Sequence, residues 1–190
     1  HLGFPTKKDE EWKFTSIKPV KKHQYSFSHQ PELIQADIAP FLLAGQDVHL
    51  LVFENGMLNE ALSTRINADG VVIDSLRNHA NHEAVKKHIT KYAAFEDNSM
   101  LALNAALARD GAFVYLPDGV KLEKPIHVMF VGNATTSAQA GFARVLVVGG
   151  KHSEANIVES YHSAGSNVVF TSVVTEVDIE DGAHIDIYKV

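Results

Sequence analysis

The sequence predicts a mainly β protein that is preceded by a mixed helical and strand-containing region. After Gly111 the helical spacing of apolar residues disappears, and short apolar runs follow one another up to residue 188. These runs cover residues 113–116, 126–131, 142–148, 156–161, 168–174 and 183–188. Turn signals such as Pro117-Asp118-Gly119 and Asp181-Gly182 separate them. Strand starts recur about every 10 to 16 residues, which leaves no room for crossover helices.

This spacing permits two architectures, which the periodicity alone does not distinguish. One is an antiparallel sandwich or barrel, and the other is a parallel β-helix in which each coil stacks on the coil before it. Runs such as Val145-Leu146-Val147-Val148 are apolar on both faces. That pattern indicates strands whose outer face is also covered, or two sheets that pack closely.

The region before Gly111 predicts short elements of both kinds. The first ~30 residues suit a short helix followed by irregular structure. A second short helix is predicted in residues 31–45, with Pro31 in its first turn, Leu33, Ile34 and Ile38 on one face, and a break at Pro40. The run from Val48 to Phe53 meets Asn55-Gly56, which predicts a tight β-hairpin. Residues 70–76 predict a further strand.

Two helices are predicted between this strand and Gly111. In residues 81–95, Val85, Ile89 and Tyr92 recur at helical spacing. In residues 97–111, Asp97 or Asn98 can accept hydrogen bonds from the free amides of the first turn, and Gly111 can close the last turn. The stripe of Met100, Leu103 and Leu107, widened by Leu101 and Ala105, predicts packing against a neighbouring element, as a lid and not as a cofactor site.

The composition narrows the class of protein. The 190 residues are 45% hydrophobic and 21% charged, with a net charge of −6, which is typical of a globular domain and argues against a nucleic-acid-binding surface. No apolar stretch of roughly 18 residues is present, and charges crowd residues 7–11, so neither a membrane span nor a signal peptide is predicted. The absence of Cys excludes thiolate ligands within these residues and is consistent with a cytoplasmic location.

Both ends of the sequence predict a piece of a longer protein. The chain begins with His1 and ends inside the strand-like segment IDIYKV. An edge that exposes Ile185, Ile187 and Tyr188 would be a template for association. We therefore expect further coils beyond Val190, and poor solubility or self-association of a chain that ends there.

The eleven histidines raise the question of a metal site. His152, His162 and His184 lie in the strand-rich half, with Glu154 and Glu159 near two of them. They lack the His-x-His pair, followed by spaced Glu and His, that a cupin site shows. His82 and His88 are six positions apart and cannot form the i, i+4 pair of a zinc protease helix. The sequence therefore predicts no metal-ligating residues.

Other catalytic patterns are also missing. Gly149-Gly150 follows a strand but belongs to no phosphate-binding motif, and no nucleophile elbow is present. Glu176 is a single carboxylate within a strand, where a surface position is the expected one. We therefore predict no catalytic and no cofactor-binding residues, and a protein without enzymatic activity of its own.

Several segments occur in a fixed order along essentially the whole chain. They are GFPTKKDEEWKFTSI, LVFENGMLNEALS, LNAALARDGAFVYLPDGVKLEKPIHV, RVLVVGGKHSEANIVESY and VVTEVDIEDGAHIDIYKV. Together they resemble the SufB/SufD family, whose members are subunits of the SUF iron–sulfur cluster assembly machine. The early Asp-Glu-Glu-Trp-Lys block favours the SufD branch over SufB, whereas both branches share the later motifs more loosely.

The resemblance implies a right-handed parallel β-helix that begins near Gly111. Residues 1–110 would form the mixed N-terminal region and residues 111–190 the first coils, with Asp-Gly and Pro-Asp-Gly at their corners. It also implies a scaffold that pairs with SufB and binds the SufC ATPase, with a SufD homodimer as a further possibility. The iron–sulfur cluster, and a reduced flavin, would belong to the whole complex. The histidine that the family places at the cluster site has no counterpart in residues 1–190.

Two enzymatic alternatives compete with this interpretation. A carbohydrate-active β-helix needs paired acids on neighbouring rungs, and the segment VDIEDGAHID supplies acids only near a turn. A cupin-like metal enzyme needs the histidine pair that the sequence lacks.

Overall fold

The computed structural model describes residues 3–28 and 30–190, so His1, Leu2 and His29 lie outside the described residues. The helices are α1 (Lys18–Lys21), α2 (Gln35–Ile38), α3 (Glu83–His88) and α4 (Ser99–Leu107), with short 3-10 turns at Glu10–Trp12, Ala39–Phe41 and Glu60–Leu62. The strands are β1 (His49–Glu54), β2 (Met57–Leu58), β3 (Ile66–Ala68), β4 (Val71–Ser75), β5 (Asp110–Leu116), β6 (Ile126–Ala134), β7 (Gln139–Gly149), β8 (Glu154–Gly165), β9 (Val169–Ile179) and β10 (His184–Lys189). The predicted mainly β class is confirmed, and each apolar run after Gly111 forms a strand. Between residues 3 and 190, with residue 29 set aside, no helix combines the length and apolarity that crossing a membrane requires.

The strands form two mixed sheets of five strands each. The first sheet has the order β10-β8-β6-β1-β2, and the second has the order β3-β4-β5-β7-β9. From β5 onward, consecutive strands alternate between the sheets, and β7, β8, β9 and β10 each pair in parallel with the strand two places earlier. The predicted parallel pairing is therefore confirmed. Runs 126–131 and 142–148 form no hairpin with each other, because β6 pairs with β8 and β7 pairs with β9.

The antiparallel pairs lie in the N-terminal part of the chain. β1 and β2 form the predicted hairpin, in which Asn55 and Gly56 both have positive φ, at 49° and 84°. Positive φ at both positions is what an Asn-Gly hairpin turn requires. In the second sheet, β3 pairs with β4 and β4 with β5, both antiparallel. The N-terminal strands thus begin both sheets, and the parallel strands continue them.

The main core lies between the two sheets. Val145 and Val147 of β7 point into it, together with Val114 of β5 and Val128 and Phe130 of β6. All are almost fully buried, so each removes most of its apolar surface from water, worth about 1.5–3 kcal/mol per side chain.

The outer faces of both sheets are covered as well. Leu146 and Val148 pack on the outer face of the second sheet in a cluster with Val85 of α3. On the outer face of the first sheet, Met129 packs in a cluster with Ile38 of α2. The prediction that two-sided apolar runs have a covered outer face is confirmed.

The helices differ from their predicted bounds. The predicted helix at Pro31 begins only at Gln35, with Leu33 buried and Ile34 62% exposed, so these two do not share a buried face. The backbone N–H groups of Glu32 and Leu33 instead donate to the buried carboxylate of Glu54, at 2.8 and 2.9 Å. That carboxylate fixes the segment as extended chain.

The two later helices are also shorter than predicted. α3 ends at His88, and Ile89 is already extended, so Tyr92 is no part of its stripe. α4 begins where predicted, because Asn98 accepts hydrogen bonds from the N–H groups of Met100 and Leu101. It ends at Leu107, and the prediction that Gly111 caps it is wrong.

Gly111 is required for a different reason. It lies in β5 with φ 154°, and a Cβ at this position would collide with the backbone carbonyl of Arg144 on β7. Only glycine lets the two parallel strands approach this closely.

Candidate functional site

A buried ion pair lies on the outer face of the second sheet. Arg144 of β7 donates from Nη2 to Oε2 of Glu176 on β9, over 2.8 Å, and their side chains are 7% and 0% exposed. In the parallel register Leu146 lies beside Glu176 and Val174 beside Arg144, so the pair is diagonal on one face. The expectation that Glu176 is a surface carboxylate is wrong.

Glu176 also binds the chain segment that follows α3. The backbone N–H groups of Thr90, Tyr92 and Ala93 donate to its two carboxylate oxygens over 2.9–3.2 Å. Burial raises the pKa of Glu176, but the hydrogen bonds from Arg144 and from these N–H groups outweigh it and hold the pKa below its usual value. With four donors on about four lone-pair sites, Glu176 has no free acceptor for general-base work, so its role is to hold the segment 90–93.

Asn104 connects α4 to the same pair. Its amide donates to the carbonyl oxygens of Ala143 and Ser172, at 3.1 and 3.0 Å, and its Oδ1 accepts from Nη1 of Arg144 at 3.3 Å. Asn104 is the buried residue of α4, whereas Leu107 of the predicted apolar stripe is 36% exposed. The helix packs as predicted against a neighbouring element, but a polar residue anchors it.

A cavity of about 280 Å³ lies beside the ion pair. It is lined by Leu76, Arg77, Ala80, Val85, Ile89, Ala108, Arg109, Asp110 and Arg144. The Nε–H of Arg144 is buried and has no hydrogen-bond partner within the described chain. A buried guanidinium N–H without an acceptor is unusual in a folded protein.

A second chain of polar contacts joins α3 to β9. The hydroxyl of Tyr92 donates to Oδ2 of Asp178 over 2.6 Å and lies 2.5 Å from Nδ1 of His88. The hydrogen bond to Asp178, with a smaller effect of burial, raises the pKa of Tyr92 to about 12. At neutral pH the tyrosine is protonated and acts as a donor.

Three aromatic rings form a column in the core between the two sheets, and the last ring contacts buried polar groups. The rings of Phe53, Phe130 and Tyr161 stack in register on β1, β6 and β8, with centroids 5.4 and 5.5 Å apart. The hydroxyl of Tyr161 donates to the fully buried Glu159 over 2.6 Å, and Lys189 lies 3.0 Å from the same carboxylate. Burial, the hydrogen bond to Glu159 and its charge all raise the pKa of Tyr161.

The outer face of the first sheet carries two histidines under the segment that contains α2. His127 is fully buried, and its Nε2 lies 2.7 Å from the hydroxyl of Ser160. The ring of Phe41 stacks on His162 at 4.2 Å. Nδ1 of His127 and Nε2 of His162 are buried, and neither has a hydrogen-bond partner among the residues that the structure describes. Burial lowers the pKa of both imidazoles, so both are neutral at pH 7.

The histidines considered as metal ligands lie in different places. His152 sits in the β7–β8 turn against Gly182, His184 starts β10 beside Glu154, and His162 faces the α2 segment. Glu154 bonds Lys121. Within residues 3–28 and 30–190, no three His, Asp or Glu side chains form a group that could hold a metal ion.

The register also bears on the glycosidase alternative, which needs acids side by side on neighbouring rungs. Glu159 lies between Val128 and Lys189, Glu176 beside Leu146, and Asp186 beside Asn156. These positions do not form the carboxylate pair that such an enzyme uses.

Sequence reasoning missed the residues that organise this face. Arg144 interrupts the apolar run 142–148, Glu176 follows the run 168–174, and Asn104 interrupts the α4 stripe. A single charge inside a run that is buried on both faces requires a partner, and that is the signal that could have identified Arg144. The sequence does not reveal the register between β7 and β9, which places Glu176 next to Arg144.

The fold and these contacts define a class: a two-sheet β stack in which buried charges serve to fix the packing of the outer segments. Comparison with known proteins identifies the family. Residues 1–128 match the SufBD protein N-terminal region, and residues 130–190 match the SufBD core domain of SUF system FeS cluster assembly. The chain belongs to the SufBD family.

Curated relatives include members of both branches. An iron–sulfur cluster assembly SufBD family protein of Synechocystis is 27% identical over 97% of this chain and 43% of its own length. The iron–sulfur cluster assembly protein SufD of Bacillus subtilis is 30% identical over 66% of this chain and 29% of its own length. The SufB protein of the same organism is 25% identical over 75% of this chain and 32% of its own length. The chain thus spans less than half the length of these relatives.

Proposed function

We propose that this chain serves as a SufD-type scaffold subunit of the SUF iron–sulfur cluster assembly machinery, and that it catalyses no reaction itself. The observation that carries the proposal is the consecutive match of both SufBD family regions along the chain. In this proposal the cluster is the cargo of the assembled complex, and neither a metal nor a flavin would be bound by this chain alone.

The proposed architecture is a right-handed parallel β-helix that begins near Gly111, with residues 1–110 as a mixed N-terminal region and residues 111–190 as its first coils. Support comes from the alternation of β5 to β10 between the two sheets and from their parallel pairing. A stack of this kind presents long rigid surfaces, which suits a subunit that positions other subunits.

The proposed partners are SufB and the SufC ATPase, in the cytoplasm. Assignment to the SufD branch rests on the Asp9-Glu10-Glu11-Trp12-Lys13 block and is consistent with the 30% identity to a SufD protein. A homodimer is the alternative assembly.

The test is reconstitution of the full chain with SufB and SufC from the same source. We expect a stable complex by size-exclusion chromatography with light scattering, and cluster formation, followed by visible absorption, that is faster than with SufB and SufC alone. Each subunit omitted in turn provides the control. If the chain forms no complex with either subunit and leaves cluster formation unchanged, the proposal is wrong.

A further inference from the structure

Another cavity lies between the N-terminal segment, residues 4–27, and helix α4. Side chains from this segment, from α4 and from strands β7 and β9 line it. Its volume of about 280 Å³ lies just below the range of typical small-molecule sites, so only a small ligand fits. Unlike the cavity beside Arg144, it is bordered by exposed side chains, so a ligand can reach its wall from solvent.

Aromatic rings form much of the wall of this cavity. Phe142 contacts Phe27 and Phe170, with ring centroids 6.2 and 5.6 Å apart, and Tyr25 lies 6.0 Å from Phe170. The rings of Phe142 and Phe170 meet almost at a right angle, at 86°. Rings arranged in this way present both faces and edges, with which a further aromatic ring can make favourable contacts.

Several large apolar side chains at the cavity are exposed to solvent. They are Phe4, Phe27 and Leu107. Large exposed apolar side chains that gather at one place mark binding sites. Here they border a concave surface of small volume, which favours a small ligand over the flat surface of a partner protein.

One lysine supplies charge at the cavity. The ammonium group of Lys21 lies 5.5 Å from the centre of the Phe4 ring, and within residues 3–28 and 30–190 no carboxylate pairs with it. None of the described residues that line the cavity is acidic. An aromatic wall can also hold a cation, but Lys21 would repel one. The cavity therefore favours a ligand with a negative charge.

We propose that this cavity binds a small aromatic acid, that is, a single aromatic ring that carries a carboxylate group. The ring packs on Phe27, Phe142 and Phe170, and the carboxylate pairs with the exposed ammonium group of Lys21. This site is additional to the proposed scaffold role and does not depend on it.

The probe is phenylacetate, titrated into the full chain while the amide ¹H–¹⁵N signals of Tyr25, Ala140 and Phe170 are followed by NMR. Phenylacetamide keeps the ring but has no charge, and cyclohexylacetate keeps the charge but has no aromatic ring. We expect saturable shifts with phenylacetate and binding of each analogue that is about threefold weaker or more. Equal binding of phenylacetate and either analogue, or no shift with up to about 10 mM phenylacetate, overturns the proposal.

Two variants test the charged contact. Lys21→Gln should weaken the binding of phenylacetate about threefold and leave the binding of phenylacetamide unchanged, because only the acid uses the ammonium group. Lys22→Gln is the matched control, since this neighbouring lysine is exposed but does not line the cavity, and it should bind both compounds as the unmodified chain does. Equal effects of the two substitutions contradict the role of Lys21.

A third variant tests the location of the ring. Leu107→Trp places a larger side chain in the cavity from an exposed position and should abolish the shifts with phenylacetate. Binding of phenylacetate that survives this substitution unchanged contradicts the placement, and the amide spectrum of each variant verifies its fold.

Discussion

Arg144 and Glu176 lie on adjacent parallel strands, one step apart along one face, with 2.8 Å between Nη2 and Oε2. Replacing Glu176 by Gln leaves a buried guanidinium without its counter-charge, so we expect the free energy of unfolding to fall by about 3 kcal/mol or more. Urea denaturation measures it. The control is Glu180→Gln on the exposed β9–β10 turn, which should change stability by less than about 0.5 kcal/mol. Equal effects of the two substitutions would contradict the buried pair.

Gly111 and Gly119 form a matched pair of glycines. Both have positive φ, at 154° and 73°, but a Cβ at Gly111 would collide with the Arg144 carbonyl. At Gly119, no atom of the described residues lies within 4 Å of such a Cβ. We expect Gly111→Ala to separate β5 from β7 and to cost several times the roughly 1–2 kcal/mol of Gly119→Ala. Thermal unfolding by circular dichroism measures both variants. Similar losses of stability in the two variants would show that the cost at Gly111 comes from its backbone conformation and not from the collision with Arg144.

His127 makes stability depend on pH. Burial, with a smaller effect of His162, lowers the pKa of His127 to about 4 from a usual value of 6.5. The unfolded chain binds a proton at His127 as the pH falls below 6.5, but the folded chain does so only near pH 4. The stability that neutral His127 contributes is therefore full above pH 6.5 and is lost as the pH falls toward 4.

Between pH 7.5 and pH 5 this loss amounts to about 2 kcal/mol. We expect His127→Gln to flatten the stability profile over this interval, as measured by urea denaturation at each pH. Burial also lowers the pKa of His162, so part of the dependence should remain in the variant. Asn156→Gln, which changes no titratable group and lies at an exposed position, is the control and should leave the profile as it is. An unchanged profile for His127→Gln would mean that His127 is protonated in the folded protein at pH 5.

Asn104 holds α4 on the second sheet. Asn104→Ala removes the hydrogen bonds to Ala143, Ser172 and Arg144 and leaves their buried groups unpaired, at a cost of about 1–3 kcal/mol. The loss should be local, so hydrogen exchange should accelerate in residues 99–107 while β5 and β7 stay protected. The control is Ala106→Gln on the exposed side of α4, which should leave the exchange rates of residues 99–107 unchanged. Uniform acceleration over the whole chain would show that α4 and the sheets unfold together.

The strands after Gly111 could be predicted because apolar runs and turn residues are local signals. The pairing could be narrowed to two architectures only, because period-two alternation does not reveal which strands are neighbours. Two-sided apolar runs correctly indicated covered outer faces, since a residue such as Leu146 has no reason to be apolar unless α3 lies over it.

The site could not be predicted because its parts are distant in sequence. Glu176 is buried only because Arg144, 32 residues earlier, reaches it and the segment 90–93 closes over it. The predicted end of α3 was wrong for a similar reason. Thr90 has φ 61°, which is not helical, and it lies in the segment that Glu176 binds. Tertiary hydrogen bonds outweighed local helix preference there.

The alternation of strands between the two sheets has a consequence for how the chain folds. Partners in the stack, such as Ile126 and Ile157 or Gln139 and Val169, lie roughly 30 residues apart. The antiparallel strands β1, β2, β3 and β4 come first and supply the templates for β5 and β6. As the polypeptide leaves the ribosome, each strand from β5 onward therefore meets a partner that has already emerged. The strands from β5 to β10 can therefore pair one after another in the order of synthesis, because each of them pairs with a strand that precedes it in the sequence.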